Sequence, residues 1–384
     1  MYELFNKKNV SNYIFQDEIC KGYSVHSAVA ISVWEKLLNC LIECFTNELG
    51  EIELLDKLPM LIDSKILIDF YGEHFYRIKD RIPSIRYSDG HEKYVATDEL
   101  PYLVSALKYY DRVFASYTVV RPRNFAVKPF LREEFIRYFQ FAISSDENDM
   151  DKLIIQIKRA AMQFFVKIRM QVVLVDRQSD SYYSKKSCFH SVWMNGNIES
   201  VLQCGLLRKK IDSASEKDKF VIDVGGAQRM LATFIYANSD SQGLLLPYDM
   251  RTVDIIIRIG VETTILKAFE RIVASFGCRV KRVNGNKKFN EMKKIAVDQS
   301  ALAVVVQRIV DGKDFLTIYN RDMTKTDVRS ISETVEWFEE KYRTIENMSY
   351  IKQQQLINAK LDLNGTVLRK GNKVYPVIEE GLFL

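Results

Sequence analysis

The stretch FASYTVVRPRNFAVKPFLREEFIRYFQFAIS (residues 114–144) decides how this chain folds. Two runs rich in β-branched and aromatic residues flank the basic, proline-bounded segment RPRNFAVKP (121–129). Such runs favour strands, so the stretch predicts an antiparallel hairpin with a long loop. Arg121, Arg123 and Arg132 carry planar donor groups that suit a phosphate. Each of them alone is also compatible with an ordinary surface charge.

Helical periodicity is found on both sides of this hairpin. Apolar residues recur every three or four positions from Ile31 to Leu49 and from 150 to 169, which predicts two amphipathic helices. KYVATDELPYLVSALKYY (93–110) predicts a strand, a turn at Thr97-Asp98-Glu99 and a short helix. The stretch 66–85 alternates poorly and contains Gly72 and Pro83, so we interpret it as mixed strand and loop.

The pattern changes near residue 250. Predicted strands and helices then alternate, as in a small α/β domain. The end of the chain is polar and rich in Gln before LNGTVLRKGNKVYPVI, which predicts a hairpin turning at Gly371-Asn372. We therefore predict three parts, residues 1–250, 251–345 and 346–384.

Composition limits the class of protein. A chain of 384 residues is long enough for two ordinary domains, and its 47% hydrophobic content lets each of them bury a core. The net charge of +5 permits a nucleic-acid partner without demanding one. No window approaches the roughly 20 apolar residues of a membrane span, and the N-terminus lacks the apolar core of a signal peptide. We expect a soluble, cytoplasmic protein with no membrane partner.

Metal-ligand patterns are absent from the sequence. The six cysteines include no CxxC pair, and the chain has four histidines. We therefore expect no resident protein-built metal site, and any catalysis would rely on Arg, Glu and the backbone. Gly225-Gly226 stands between a predicted strand and a helix that carries Arg229, where backbone amides could receive an anion. A lone glycine pair is more often a tight turn.

Taken together, these segments resemble the prolyl-tRNA synthetases of the archaeal and eukaryotic type, a family of class II aminoacyl-tRNA synthetases. Motif 2 of the family resembles Arg121 followed, eight residues later, by PFLR (129–132). Motif 3 resembles GGAQR (225–229), with GLLLP beginning fourteen residues after Arg229. The resemblance implies an α+β fold, in which an antiparallel sheet flanked by helices precedes a small α/β anticodon-binding-like domain.

The resemblance also implies roles for individual residues. Arg121 and Arg229 would be the catalytic residues: Arg121 would contact the α-phosphate of ATP and the substrate carboxylate, and Arg229 would stack on adenine and reach the γ-phosphate. The other implied contacts are with the substrate amino acid (Thr97, Glu99, Gln203, Gly205) and with ATP (Phe135, Gly225). ATP and Mg²⁺ would be the cofactors.

Three positions within residues 1–250 depart from the family pattern, and in the last domain Ala296-Val297-Asp298 stands where the family has Gly-Ile-Pro. Arg123 stands where the family has a Glu that accepts a hydrogen bond from adenine, and a guanidinium has no lone pair for this. In the family's Gln-x-Gly-Thr-x-His element, Thr is Leu206 and His is Arg208. Proline is therefore a doubtful substrate.

Two functions remain open from the sequence. One is a ligase that activates an amino acid as its adenylate and transfers it to tRNA, a carrier protein or another acceptor. The other is an inactive paralogue that serves as a regulatory subunit, an amino-acid sensor or an RNA-binding protein. Class II synthetases are usually homodimers, so a homodimer is expected in either case.

Overall fold

The computed structural model divides the chain into two compact units. The larger unit comprises the described residues within 11–166, 171–234 and 355–384, and the smaller unit those within 167–170 and 235–354. The structure describes residues 14–16, 24–120, 133–177, 183–192, 198–209, 219–239, 242–311, 313–321, 323–326, 336–337, 340, 344, 350–351, 353–362, 364–365, 367–370 and 373–378.

Helices and strands are numbered in chain order. The helices that begin in the larger unit are α1 (Ala28–Leu49), α2 (Ser64–Tyr71), α3 (Glu73–Ile78), α4 (Leu100–Ala106), α5 (Met150–Lys167) and α6 (Arg229–Ala237). Its strands up to residue 227 are β1 (Ile14–Gln16), β2 (Ser24–His26), β3 (Glu53–Leu55), β4 (Leu61–Asp63), β5 (Ser84–Arg86), β6 (Glu92–Val95), β7 (Arg112–Val120), β8 (Phe135–Ser145), β9 (Val172–Asp176), β10 (Lys185–Val192), β11 (Ile198–Lys209) and β12 (Lys219–Ala227).

A seven-stranded sheet dominates the described part of the larger unit. Its strand order is β3-β7-β8-β12-β11-β10-β9, and every neighbouring pair is antiparallel except β3 and β7. The predicted pairing around residues 114–144 is confirmed, because β7 and β8 pair antiparallel from Arg112↔Ile143 to Val120↔Phe135. The loop that carries Arg121, Arg123 and Arg132 lies outside the described residues.

One face of this sheet is covered by the two long helices that the periodicity predicted. Trp34 of α1 contacts Phe139, and Phe45 stacks on Phe141 with ring centroids 4.4 Å apart. Helix α5 contributes Phe165, which packs against Phe189. These rings form a close-packed apolar core that fixes the register of the central strands.

The expectation of mixed strand and loop for 66–85 was wrong for most of that stretch, which is helical in α2 and α3. The side chain of Asp63 accepts a hydrogen bond from the Lys65 amide and so caps α2. Gly72 then separates the two helices at φ +53°, a conformation that suits glycine. The helices are short, and so the helical period was hard to recognise.

Strands and helices alternate in the smaller unit. Its elements are β13 (Ile255–Ile259), α7 (Thr264–Ser275), β14 (Val280–Asn284), α8 (Phe289–Asp298), β15 (Ala303–Val310), β16 (Lys313–Asn320) and β17 (Lys325–Thr326). Among described residues the strand order is β14-β13-β15-β16-β17, with β13 parallel to both neighbours. The fold class predicted from the sequence is confirmed.

The end of the chain returns to the larger unit. Strands β18 (Val367–Lys370) and β19 (Lys373–Pro376) form the hairpin that the sequence predicted. Leu368 is buried against β9, β10 and β11, and the Ile378 amide donates to the Leu174 carbonyl. The C-terminal hairpin (367–376) is therefore packed on the edge of the large sheet.

No helix among the described residues has the length and apolar character needed to cross a membrane.

Candidate functional site

Polar side chains gather on the face of the large sheet opposite α1. Strand alternation places Tyr117, Tyr138, Gln140 and Asp223 there, because Tyr117 pairs with Tyr138 in register and Gln140 pairs with Gly225. Helix α4 covers the apolar end of this face, where Leu103 packs among residues of β7 and β12. The arrangement is a polar cluster bordered by an apolar wall.

Glu99 lies at the start of α4, beside this cluster. Its backbone amide donates to the Tyr117 hydroxyl over 3.4 Å, and the residue is 2% exposed. Its Oε2 makes no hydrogen bond to any residue that the structure describes. Burial, and then the negative charge of Asp98, raise the pKa of the Glu99 carboxyl to about 8. A buried carboxylate oxygen in this state is suited to receive a cationic group such as an ammonium.

A chain of hydrogen bonds runs from Glu99 across the strands. The Tyr117 hydroxyl donates to Gln140 Oε1 in a short hydrogen bond, and Gln140 Nε2 donates to Asp223 Oδ1 over 2.7 Å. The Tyr183 hydroxyl donates to the other carboxylate oxygen of Asp223. Both oxygens of this fully buried carboxylate thus have a donor, and the chain holds the floor of the cluster in one geometry.

The charge state of Asp223 is set by opposing effects. Burial and the charge of Asp98 raise its pKa, whereas the donors Tyr183 and Gln140 and the cation Lys186 lower it. Burial dominates, and the pKa of Asp223 is about 7. At neutral pH the site therefore contains two carboxyl groups, those of Glu99 and Asp223, that are both close to a protonation change.

Two glycines make room for these side chains. A Cβ on Gly205 would lie 2.9 Å from Tyr183 Cζ and closer still to two other ring carbons. A Cβ on Gly225 would lie 3.3 Å from the Tyr138 hydroxyl and 3.1 Å from the Phe139 carbonyl oxygen. The absence of a side chain at Gly205 thus lets Tyr183 reach Asp223.

Gln203 stands next to the glycines on the same face. Its Nε2 donates to the Tyr138 hydroxyl over 2.8 Å, and its strand partner across the sheet is Gly225. The structure therefore places Gln203, Gly205 and Gly225 on one face of the sheet, with Glu99 beside that face at the start of α4. Thr97 lies half-buried in the loop before Glu99.

Arg229 begins helix α6, directly after strand β12 and its glycines. Its Nη1 lies 3.4 Å from Glu199 Oε2, and the same oxygen is 2.7 Å from Lys370 Nζ. The preceding residue, Gln228, fixes the turn, because its side chain accepts from the Arg137 amide and donates to buried Glu133. Arg229 is therefore held just after the end of β12 with an acidic partner.

The remaining sequence predictions lie elsewhere. Arg121 falls outside the described residues. Phe135 begins β8 and is 38% exposed, and alternation places it on the α1 side of the strand, opposite Tyr138. Arg208 points away from the cluster, since its guanidinium covers the Phe220 ring and pairs with exposed Glu147. Leu206 is buried on that same side of β11. Leu206 and Arg208, the two residues of β11 that differ from the family pattern, therefore both face away from the cluster.

Sequence reasoning missed the side chains that form the floor of the cluster, namely Tyr117, Tyr138, Gln140, Tyr183 and Asp223. One signal was present, because Asp223 is the single acid in the apolar run FVIDVGG (220–226). A charge inside a buried strand is rare unless it is paired. Its partners are 40 and 83 residues distant in sequence, so the pattern alone could not name them.

Comparisons with known proteins find similarity in the structure and none in the sequence. No family model matches the sequence, and no curated protein matches it. The structure is similar to the prolyl-tRNA synthetase of Cryptosporidium parvum in complex with halofuginone and AMPPNP, with a TM-score of 0.69 and 14% identity over 92% of this chain and 79% of that one. The complex of that synthetase with L-proline and AMP gives a TM-score of 0.67 at 14% identity, over 92% and 80%. This likeness establishes a fold similar to that of the prolyl-tRNA synthetases.

Proposed function

We propose that the protein uses ATP to activate a small amino acid as its adenylate. It then transfers the aminoacyl group to tRNA or to another acceptor such as a carrier protein, and AMP leaves. In the activation step the amino-acid carboxylate attacks the α-phosphate of ATP, and pyrophosphate leaves. The proposal places the protein among divergent relatives of the prolyl-tRNA synthetases. A cytoplasmic homodimer is part of the proposal.

Buried Glu99 is the observation that carries the proposal. A carboxyl group that is 2% exposed, with one oxygen lacking a partner among the described residues, is costly unless a ligand compensates it. The α-ammonium of an amino acid would supply the missing donor and the opposite charge. Thr97 and Gln203 would help to orient it, and Gly205 and Tyr183 would limit the size of the substrate.

Arg229 supports the nucleotide half of the proposal. It is a planar cation at the start of a nine-residue helix, where backbone amides and the helix dipole also favour an anion. Arg121, Gly225 and Phe135 would complete the ATP site according to the family resemblance. The relatives of known structure were solved with AMPPNP and with AMP, which agrees with such a site.

Mg²⁺ would accompany the triphosphate. Within the described residues, no group of three or more His, Cys, Asp or Glu side chains comes together to hold a metal ion. An ion that arrives with ATP takes phosphate oxygens as ligands and needs few protein ligands.

A protein that binds the amino acid without activating it is the second candidate. Two groups that would act on substrates already have partners within the chain, since Gln203 donates to Tyr138 and Arg229 pairs with Glu199. A sensor or regulatory subunit would need the ammonium site at Glu99 and would not need Arg229.

Amino-acid-dependent exchange of pyrophosphate into ATP separates the two candidates. One clear responder among the twenty amino acids supports the ligase, and its exchange should be abolished in R229A but unchanged in R77A. Arg77 is a suitable control because it is an exposed arginine paired with exposed Glu73. Absence of exchange, combined with saturable amino-acid binding that E99Q removes, would favour the sensor.

A further inference from the structure

Two cations from distant parts of the larger unit share one carboxylate oxygen. Glu199 Oε2 lies 2.7 Å from Lys370 Nζ on the C-terminal hairpin and 3.4 Å from Arg229 Nη1 at the start of α6. The three side chains are 18%, 32% and 33% exposed, so the cluster is partly desolvated. A single negative charge between two positive charges leaves one positive charge in excess.

Arg229 retains hydrogen-bonding capacity in this cluster. Its Nε is buried and makes no hydrogen bond to the described residues, and its contact with Glu199 is a long one. The first turn of α6 contains no acidic residue that would compete for the helix N-terminus. The unused donors, the excess charge and the helix dipole all favour an additional anion.

His190 lies close enough to these cations to be affected by their charge. It is 3% exposed, and neither ring nitrogen makes a hydrogen bond within the described part of the chain. Burial lowers the pKa of His190 to about 3, and the next causes are the positive charges of Lys370, Arg177 and Arg229. A buried imidazole thus lies in a positive field, and it is neutral at physiological pH.

The position of Lys370 is fixed by packing. Leu368, two residues earlier, is fully buried with Val175, Cys188 and Ile198. The Arg369 amide donates to the Lys360 carbonyl over 2.9 Å, and β18 pairs with β19 in register. The C-terminal hairpin therefore presents Lys370 to Glu199 from an ordered element rather than from a free tail.

We propose that Lys370 and Arg229 form a polyphosphate-binding subsite, in which Glu199 occupies the anion position when no ligand is bound. A pyrophosphate group, free or as the β,γ-phosphates of a nucleotide, would displace the Glu199 carboxylate and take donors from both cations. The C-terminal hairpin thereby becomes part of the ligand site. The inference rests on the proposed nucleotide site for its source of phosphate, although free pyrophosphate would bind by the same chemistry.

Because pyrophosphate would displace the Glu199 carboxylate, a change at Glu199 should affect the affinity for pyrophosphate. If its carboxylate competes with the ligand, E199Q should bind pyrophosphate more tightly than the wild-type chain. If Glu199 has a merely structural role, the same change should weaken binding or leave it unaltered. K370Q should weaken binding about tenfold or more, because a charge-assisted hydrogen bond is lost.

Calorimetric titration of the full-length chain with inorganic pyrophosphate tests the subsite. The variants are K370Q, E199Q and K373Q, which is a matched control because exposed Lys373 pairs with Lys370 across the hairpin. Weaker binding in K370Q, tighter binding in E199Q and unchanged binding in K373Q support the proposal. Thermal unfolding of each variant verifies the fold. If K370Q unfolds, K370R replaces it, because arginine keeps the charge. K370R should bind pyrophosphate within about threefold of wild type.

Other outcomes overturn the inference. These are wild-type protein that does not bind pyrophosphate, folded K370Q that binds as wild type does, folded K370R that loses binding, and folded E199Q that binds more weakly. Parallel titrations with ATP and AMP identify the source of the phosphate, since K370Q should weaken ATP binding and spare AMP. Pyrophosphate binding with the predicted variant pattern, but without exchange for any amino acid, would refute the ligase and retain the subsite. Normal exchange of pyrophosphate into ATP by K370Q would support the ligase and refute the subsite.

Discussion

The side-chain amide of Gln140 donates to Asp223 Oδ1 over 2.7 Å, joining strands β8 and β12 on the polar face of the sheet. Asp223 is fully buried, and its pKa is raised from 3.8 to about 7. The folded state therefore holds the proton more tightly than the unfolded chain does. The resulting stabilisation is present below about pH 3.8 and is lost as the pH rises through 7.

D223N removes this ionisation and should flatten the pH dependence of stability. Between the two pKa values, 3.8 and about 7, the wild type should lose roughly 4 kcal/mol of unfolding free energy. D223N should not show this loss. Urea unfolding of both proteins at several pH values between 4 and 8 measures the difference. Parallel curves for the two proteins would contradict the raised pKa of Asp223.

E99Q should weaken amino-acid binding by about ten- to a hundredfold, because the ammonium loses its charged partner. In the wild type, affinity should rise as the pH increases from 6 towards 8, since Glu99 must ionise to pair with the ammonium and its pKa is about 8. E99Q should lose this pH dependence. Titration of the amino acid that responds in the exchange assay gives both results.

E73Q is the matched control for this experiment. Glu73 is exposed and pairs with Arg77 four residues later on the same short helix. Its removal should leave both the affinity and its pH profile unchanged. Equal losses in E73Q and E99Q would show that the effect is not specific to the polar cluster.

G205A should destabilise the protein by about 1–3 kcal/mol, because the added methyl group overlaps the Tyr183 ring. The displaced ring would also lose its hydrogen bond to Asp223. In the double variant G205A/Y183A the two costs should not add, since the clash is removed with the ring. Chemical unfolding of the single and double variants provides the cycle.

Gly260 offers the comparison for this substitution. A Cβ added at Gly260 would have Gln307 Oε1 as its nearest neighbour, at 3.9 Å, which is ordinary contact. G260A should therefore change the unfolding free energy little. A cost equal to that of G205A would show that close contact with Tyr183 is not the cause.

F45A should cost about 3–5 kcal/mol of unfolding free energy, because it deletes a fully buried ring stacked on Phe141. V29A in the same helix should change stability by less than about 0.5 kcal/mol, because Val29 is exposed. Denaturant midpoints of the two variants measure the contrast. Similar losses in both would refute the packing of α1 against the sheet.

The regular elements were predicted where the local pattern is long. Helices α1 and α5 and the pairing of β7 with β8 follow from periodicity sustained over many residues. The prediction for 66–85 was wrong because each of its helices spans little more than two turns at most, which is too short for a clear helical period. The family resemblance implied a role for Glu99. Its burial, and the lack of a hydrogen bond to its Oε2 within the described residues, follow from the position of α4 in the folded chain.

The partners of Asp223 and Glu199 could not be predicted, because they are distant in sequence. Tyr183 and Gln140 reach Asp223 from parts of the chain that become its neighbours only in the folded sheet. Lys370 is separated from Glu199 by 171 positions. Hydrogen bonds and ion pairs of this kind depend on positions in space, about which local periodicity carries no information.

The sequence by itself determined the long helices and the pairing of β7 with β8, because hydrophobic periodicity is a local property of a chain. The fold class and the candidate residues Glu99, Gln203, Gly205 and Gly225 were implied by the resemblance of its short motifs to a known family. The tertiary structure alone decided the faces of the strands, the burial that raises the pKa of Glu99 and Asp223, and the return of the C-terminal hairpin to the larger unit. The physical reason is that desolvation and pairing act between groups in space, whichever positions they hold along the chain.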